Sequence, residues 1–307
     1  MLQRILTTTS SSVLQSLTGL SRREFDLLLI SFSRAWQDAE ALRRSRTPHC
    51  RHPGGGRKGT VPTAAGKLLF ILFYVRQYPV QRVQAVLFGM GKSQADAWIH
   101  RLLPVLEHAL AKEIALPLRP GATMEQMRRR CPDLRYWLDA TERQINRPKD
   151  ARRQKSHYSG KKKRHTVKNT VVADSKRRIV FLGATVEGKR HDKRLVEEDA
   201  PPFPAQSRVG ADSGYEGYHP PGVIVTTPLK KPRGGELTEE EKSVNRRFSH
   251  FRVVVENSLG GTKINRIVHD TFRGRKSGFD DRAMRVSVGL HNYRCAKRAK
   301  TTLQQAA

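Results

Sequence analysis

The chain has 307 residues and carries 58 Lys and Arg against 28 Asp and Glu, which gives a formal net charge of +30. This length allows two domains of about 150 residues each, and the charge is typical of proteins that bind a polyanion, nucleic acid above all. The three cysteines lie too far apart for a disulfide framework, and no apolar run approaches the ~20 residues of a membrane helix. We therefore expect a cytoplasmic protein.

The first 61 residues predict an N-terminal helical segment (1–46) and a basic linker (47–61). Ser21 and Glu24 have the spacing of a capping box, and the apolar residues that follow fall on one face of a helix ending near Leu42. Residues 47–61 combine proline, three consecutive glycines and basic side chains, which neither a helix interior nor a strand tolerates.

Residues 62–120 predict a helix-turn-helix DNA-binding domain. Thr63 is expected to cap an apolar helix over 64–77, and a short helix over 80–88 leads to the turn at Gly89-Met90-Gly91. Ser93 is expected to cap a third helix over 94–106. The outward residues that we expect to contact DNA are Lys92, Gln94 and Arg101. A three-helix bundle without a DNA-binding role is the alternative, and the net charge favours DNA.

Residues 121–307 predict an α+β domain. Three segments, 134–141, 165–173 and 178–186, have the pattern of an antiparallel meander. A short helix over 191–199, a strand ending at Asp212 and a strand over 223–227 follow. The last helix of this order starts near Glu239 behind a Thr238/Glu241 capping box and is expected to stop at Gly260-Gly261. A further helix with a basic outer face is expected between 273 and 300.

Three carboxylates stand at the ends of these predicted elements: Asp139, Asp212 and Glu256. Hard oxygen ligands suit magnesium, and two carboxylate-bound divalent ions can activate the attack on a phosphodiester. The alternative for each acid alone is a surface ion pair, for example Glu256 with Arg252 one turn earlier. The three acids together with the strand order favour a metal site.

Five segments of this domain, in chain order, form a recognisable series: LDATERQINRPKD, YSGKKKRHTVKN, GATVEGKRHDKRL, GADSGYEGY and VVVENSLGGTKINRI. Together with LTGLSRREFDLLL and the helix-turn-helix stretch before them, they resemble bacterial insertion-sequence transposases of the DDE endonuclease superfamily, in the branch related to the Harbinger transposases. The resemblance covers about 250 of the 307 residues. The resemblance implies an RNase H-like fold in which Asp139, Asp212 and Glu256 form the catalytic, metal-binding triad. It also implies Mg²⁺ as the cofactor, two ions when DNA is bound, with Mn²⁺ as a possible substitute.

Three further residues are candidates beside that triad. His191 and Asp192 match the family's His-Asp element, where Asp192 either supports the metal site or caps the helix. Relatives often continue the last motif with Gly-Arg-Leu-Lys, whereas this chain has Gly-Gly-Thr-Lys, so that Lys263 keeps a basic residue there and the arginine is missing.

The region from Glu142 to Arg178 holds 14 Lys and Arg against three acids, a net charge of +11. Phosphate contact is the predicted role. The residues expected to make it are Arg152, Arg153, Lys161, Lys162, Lys163, Arg164 and Lys168. The alternative is a disordered basic loop over 147–163.

These features predict a transposase that binds the terminal inverted repeats of an insertion sequence, cleaves DNA strands and joins the freed 3′-hydroxyl to target DNA. The expected partners are double-stranded DNA and a second copy of the chain, in a dimer or higher oligomer at the bacterial nucleoid. Two alternatives remain open: an inactive or domesticated transposase that regulates by binding DNA, and a nuclease of the same fold that cuts without joining.

Overall fold

The structure is a computed structural model that describes residues 10–46, 59–231 and 234–305 of the chain, without the side chains of 247, 250–252 and 300–305. The predicted linker therefore lies outside the described residues except at 59–61, which form neither helix nor strand. No helix in the described part is long and apolar enough to span a membrane.

The chain divides into two compact units. One comprises 1–116, 264–270 and 282–307, and the other comprises 117–263 and 271–281. The first boundary lies close to the predicted boundary at 120. The C-terminal residues differ from the prediction of a single domain over 121–307, because 282–307 cluster with the N-terminal helices. Spatial proximity, rather than chain order, defines these units.

The first unit is helical. Its N-terminal helices are α1 (Ser11–Thr18), α2 (Arg22–Ser45), α3 (Ala64–Gln77), α4 (Gln81–Leu87) and α5 (Lys92–Lys112). The predicted capping box is present, since the Glu24 carboxylate accepts from the Ser21 amide at 2.8 Å and the Ser21 hydroxyl accepts from the Glu24 amide at 3.3 Å. Thr63 caps α3 as predicted, because its hydroxyl accepts from the Gly66 amide at 3.0 Å.

Helix α5 differs from its prediction at both ends. The prediction that Ser93 caps it is wrong: Gly91 is the N-cap, and the helix starts at Lys92. The helix also continues through Pro104 to Lys112 instead of ending near residue 106. Proline disfavours a helix interior locally, but Leu102, Leu103, Val105 and Leu106 around it are all buried. The burial of these side chains offsets the lost backbone hydrogen bond.

The second unit is α+β. Its elements are α6 (Met124–Arg130), β1 (Arg135–Gln144), α7 (Ala151–His157), β2 (Tyr158–Ser159), β3 (Arg164–Asp174), β4 (Ile179–Leu182), β5 (Val186–Glu187), α8 (Asp192–Asp199), β6 (Arg208–Ala211), a 3₁₀ turn (Ser213–Tyr215), β7 (Ile224–Thr226) and α9 (Glu239–Lys263). Two further helices follow in the chain, α10 (Arg266–His269) and α11 (Phe279–Gln305). Helix α10 and all of α11 from residue 282 onward belong to the first unit. Helix α7 and strand β2 occupy much of the stretch for which a disordered loop was the alternative.

The strands form one mixed sheet in the order β2-β3-β1-β6-β7, and β4 and β5 also pair with β3. Strand β3 is antiparallel to both β1 and β4, which confirms the predicted meander. Strands β1, β6 and β7 are parallel to one another. This mixed sheet, which follows a helix-turn-helix region in the chain, confirms the predicted fold class.

Helices cover both faces of the sheet. One face packs Tyr136 and Leu138 of β1 with Met127 of α6 and Val196 of α8 in the buried core. On the other face, the ring of Trp137 packs against that of Phe248 of α9, with ring centroids 6.3 Å apart. Because side chains alternate along a strand, Asp139 belongs to the face that α9 covers.

Helix α9 starts as predicted and ends later than predicted. Thr238 and Glu241 form the capping box through bonds of 2.8 and 3.2 Å. The predicted stop at Gly260-Gly261 is wrong, because the helix continues to Lys263. Each glycine costs a helix about 1 kcal/mol relative to alanine. Leu259 and Thr262 on either side of the glycines are buried, and the hydroxyl of Thr262 donates to the Ser258 carbonyl within the helix.

Candidate active site and DNA-binding surfaces

The parallel register of β1 and β6 brings two acidic residues side by side. Leu138 stands beside Ala211 in the last residue pair of this ladder. Asp139 and Asp212 are the next residues of their strands, so their backbones continue at the spacing of neighbouring strands, about 4.8 Å. Strand β6 ends there, and β1 runs on toward Gln144 with that edge unpaired by β6. The two predicted carboxylates therefore meet where the edge of β1 opens.

A cavity of about 560 Å³ lies at this open edge. Its lining includes both carboxylates, the start of α8 at Asp192, the turn after β2 and the end of α9. Six Lys and Arg residues share the lining: Lys161, Lys162, Lys168, Lys189, Arg190 and Lys263. Two more acids of the lining, Glu142 and Asp192, pair with Lys168. The cavity thus places Asp139 and Asp212 inside a cationic rim, which suits a phosphate backbone approaching a metal-binding carboxylate pair.

Tyr215 forms the buried wall of this cavity, and sequence analysis did not single it out. Its side chain is 2% exposed, and burial raises the pKa of Tyr215 well above its usual value. The negative charges of Asp192, Asp139 and Asp212 raise that pKa further. Asp199 adds to this effect, so Tyr215 is a neutral phenol in the field of four carboxylates. The only sequence signal was its place three residues after Asp212.

Glu256 is exposed and does not line the cavity. It precedes Leu259 by three residues and Lys263 by seven, and this spacing places all three on one face of α9. Leu259 and Lys263 do line the cavity. Across the described residues, no three His, Cys, Asp or Glu side chains are grouped closely enough to hold a metal ion. The described structure thus brings Asp139 and Asp212 together and leaves Glu256 one helical turn further out.

Lys263 lines the cavity and interacts electrostatically with Asp139. Burial lowers its pKa, and the negative charge of Asp139 opposes that decrease. Nearby Lys162 and Arg143 lower the pKa further. An ammonium held close to Asp139 in this way is placed to contact a phosphate oxygen that approaches the carboxylate.

Lys168, for which the sequence predicts a phosphate contact, is buried and paired with two acids. Its side chain is 8% exposed, and its ammonium contacts Asp192 at 2.8 Å and Glu142 at 3.3 Å. It also donates to the Arg190 carbonyl at 2.9 Å. With these partners, Lys168 anchors the start of α8 to the sheet. Asp192 is the first residue of α8 and His191 is its N-cap, so the capping alternative for Asp192 is wrong.

The other basic candidates of this unit are exposed. Lys161, Lys162 and Lys163 form the turn between β2 and β3, and Arg164 is the first residue of β3; we call these four residues the basic turn. Two of them, Lys161 and Lys162, line the cavity that contains Asp139. Arg152 and Arg153 are exposed on α7, none of whose residues is buried. These side chains are accessible to a phosphate backbone.

The predicted contacts of the helix-turn-helix region separate into two groups. Lys92 and Gln94 are exposed at the start of α5, next to the turn. Arg101 instead bonds to Glu40 of α2 and stacks over the rings of Trp36 and Trp98, at 4.7 and 5.1 Å from their centroids. Arg101 therefore joins two helices, and Lys92 and Gln94 remain the side chains accessible for base contact.

Comparison with known families assigns this combination of domains. Residues 138–292 match the family described as DDE superfamily endonuclease, and residues 63–112 match the helix-turn-helix of the same superfamily. The first match covers half of the chain, and the protein belongs to the DDE superfamily of endonucleases. Both matched segments correspond to regions that the sequence analysis assigned to these roles.

Two curated relatives are insertion-sequence proteins. The chain is 28% identical over 233 residues to the probable transposase for insertion sequence element IS702 of Microchaete diplosiphon, covering 76% of this chain and 81% of that protein. It is 26% identical over 273 residues to the putative transposase for insertion sequence element IS112 of Streptomyces albus G, covering 87% and 89%. No solved structure matches the chain. The chain is thus an insertion-sequence transposase homologue.

Proposed function

We propose that this protein binds the terminal inverted repeats of an insertion sequence, cleaves DNA strands there and transfers the freed 3′-hydroxyl to target DNA. The observation that carries the proposal is the pairing of β1 with β6, which continues into adjacent Asp139 and Asp212. The cationic rim of the same cavity supports DNA as the substrate. Transposition also agrees with the names of both curated relatives.

The residues of the cavity fit a divalent metal ion by their chemistry. Asp139 and Asp212 offer hard oxygen donors from neighbouring strand ends, which magnesium prefers. We propose these two residues as primary ligands, with Glu256 completing the triad after a movement of α9 or of its side chain. When bound, the metal would polarise the scissile phosphodiester and activate the attacking oxygen.

The other cavity residues would orient the DNA. Lys263 and the basic turn can donate to non-bridging phosphate oxygens and so hold the scissile phosphate against the acidic pair. Lys168 would keep Asp192 in place at the rim. The hydroxyl of buried Tyr215 has no hydrogen-bond partner in the described structure, and it would donate to a cavity carboxylate that moves within reach of it. All of these residues would therefore bind the DNA or position other groups of the site.

The helix-turn-helix region would supply recognition of the terminal repeats. The N-terminal residues of a recognition helix contact base edges in the major groove, and Lys92 and Gln94 occupy those positions in α5. Glutamine can form two hydrogen bonds with adenine, and lysine can bond to guanine. The enzyme would act as a dimer or larger assembly, since one insertion sequence has two ends.

The test uses Asp139→Asn and Asp212→Asn in the full chain, with DNA that carries the terminal repeats and Mg²⁺. Both variants should lose strand cleavage and strand joining while their affinity for the repeats stays unchanged, because Lys and Arg make the phosphate contacts. Glu125→Gln, an exposed acid of α6, is the matched control and should react like the wild type. Cleavage by either Asp variant at the wild-type rate would refute the assignment.

The products of the same assay separate the alternatives. A transposase yields cut ends and joined strands, a plain nuclease yields cut ends alone, and a DNA-binding regulator yields neither while still shifting the repeat DNA on a gel. Glu256→Gln tests the third ligand. If Glu256→Gln no longer cleaves the repeat DNA but still binds it, the assignment of Glu256 to the triad is supported.

A further inference from the structure

A second and larger cavity lies at the far end of β1. Its volume is about 970 Å³, and it is lined by residues 145–150 and 153 on one side and by residues 272–278 on the other. We call it the distal groove. None of its lining residues belongs to the cavity that contains Asp139. Both of its walls are basic loops that lie far apart in the chain.

Backbone pairing joins the two walls of the distal groove. The Phe272 amide donates to the Gln144 carbonyl at 2.8 Å, and Ile145 and Phe272 form a parallel bridge. Gly274 lies against the rings of Phe272 and Phe279, so that a Cβ at this position would overlap both. This close packing fixes the backbone path of the second wall, residues 272–278. The distal groove is thus a built surface, with the positions of its basic residues set by the fold.

The charge of the distal groove is carried by cations that have no ion-pair partner in the described structure. These are Lys149, Arg153, Arg275 and Lys276, all of them exposed. The acids of the lining are engaged in three cases: Asp150 caps α7, Glu187 pairs with Arg190 at 3.0 Å and Asp281 pairs with Arg119 at 2.8 Å. The fourth, Asp280, lies near buried Arg143: burial lowers the pKa of Arg143, and the negative charge of Asp280 opposes that decrease. The four cations remain available to an anion.

Two chain segments connect this groove to the catalytic cavity. Strand β1 runs from Asp139 in the cavity to Ile145 at the groove, and the segment from Glu187 to Asp192 lines the groove at its first residue and the cavity beyond it. Six residues of extended chain span about 20 Å. One DNA strand advances about 3.4 Å per nucleotide, so that this distance corresponds to about six nucleotides.

We propose that the distal groove binds the phosphate backbone of the DNA substrate about six nucleotides from the scissile phosphate. The inference rests on the proposed function, because it takes the cavity around Asp139 as the place of cleavage. The groove would hold the duplex in register while the reaction proceeds at the other end of β1. It would bind phosphates alone, and therefore every sequence alike.

The test replaces Lys149, Arg153, Arg275 and Lys276 together by glutamine in the full chain. The matched control replaces Arg128, Arg135, Lys176 and Arg208, which are also exposed and basic and lie in the same unit; Arg135 and Arg208 pair at the opposite end of β1. Both variants lose four positive charges. Phosphate ethylation interference on DNA cut at one terminus identifies the phosphates that the protein binds, and the salt dependence of affinity measures how many there are.

For the groove variant, we expect the interference signal about six nucleotides from the cut to disappear while signals at the terminal repeat remain. The slope of log affinity against log salt should fall by up to about 0.9 for each phosphate that the variant no longer binds. The control variant should keep both the signal and the slope. The side of the cut on which the missing signal lies, within the insertion sequence or in the flanking DNA, identifies which arm of the DNA the groove holds.

Two results would overturn the inference. One is a groove variant whose interference pattern and salt slope match those of the wild type. The other is a control variant that loses as much interference signal and salt slope as the groove variant, because the loss would then follow from net charge alone. Failure of the proposed function is seen separately, as a wild-type chain that does not cleave repeat DNA any faster than Asp139→Asn does. Ethylation interference itself measures binding and needs no cleavage by the variant.

Discussion

Lys168 of β3 donates a hydrogen bond of 2.8 Å from its ammonium to the carboxylate of Asp192, the first residue of α8. The same ammonium lies 3.3 Å from Glu142, which stands opposite Lys168 in the pairing of β1 with β3. One buried cation therefore neutralises two acids at the rim of the catalytic cavity. A substitution at Lys168 should therefore lower the stability of the fold.

Lys168→Met should destabilise the fold by about 3 kcal/mol, because removing one partner from a buried ion pair leaves uncompensated charge behind. Urea unfolding measures this decrease in stability. Lys176→Met, at an exposed lysine of the turn after β3, is the control and should stay within about 0.5 kcal/mol of the wild type. If Lys168→Met is as stable as the control and only weakens DNA binding, Lys168 binds phosphate after all.

Neutralising the basic turn should weaken binding to all DNA sequences alike. Replacing its four residues, Lys161 to Arg164, by glutamine should lower the salt slope by up to about 0.9 for each phosphate released. Cleavage should also fall, because Lys161 and Lys162 line the cavity that would hold the scissile phosphate. Gel shifts over a salt series, with repeat and scrambled DNA, measure the binding, and a cleavage assay on the repeat DNA measures the reaction. An unchanged salt slope would show that the basic turn is a solvated surface that does not bind phosphate.

Gln94→Ala should weaken sequence-specific DNA binding, whereas Arg101→Ala should lower the stability of the protein. Gln94 is exposed at the start of α5, and its replacement should weaken binding to repeat DNA more than to scrambled DNA, by about 1 to 3 kcal/mol. Arg101 bonds to Glu40 and stacks on two tryptophans, so its replacement should lower the melting temperature of the protein. Equal weakening on both DNAs with Gln94→Ala would remove its assignment to base contact.

Cys131 should resist alkylation in the folded protein. Burial, together with its bond to Asp133 at 2.8 Å, raises the pKa of Cys131 to about 12. The thiolate is the reactive form, so at a pH of about 8, below the ordinary thiol pKa, Cys131 should react with iodoacetamide only after unfolding in urea. Cys295 is partly exposed and serves as the internal control. Peptide mapping that finds both thiols modified at equal rates before unfolding would contradict the burial of Cys131.

Local sequence patterns were sufficient to predict most of the helices and strands. The capping boxes at Ser21 and Thr238 require only residues within four positions of each other, and the meander follows from strand periodicity. Predictions went wrong at Ser93 and at Gly260-Gly261, where local preference opposed tertiary contact. Buried side chains along α5 and α9 outweigh a missing cap, a proline and two glycines, and no local pattern records that burial.

The sequence by itself determined which residue types could carry the chemistry: Asp139 and Asp212 at strand ends, basic residues around them and a helix-turn-helix before them. Only the tertiary structure decided which of these residues meet. The register of β1 against β6 makes the two acids neighbours, the pairing of Ile145 with Phe272 joins the walls of the distal groove, and the packing of β3 brings buried Lys168 into contact with Asp192. Each of these contacts joins residues that are distant in the chain, and it forms because the packing of the sheet and its helices brings them together.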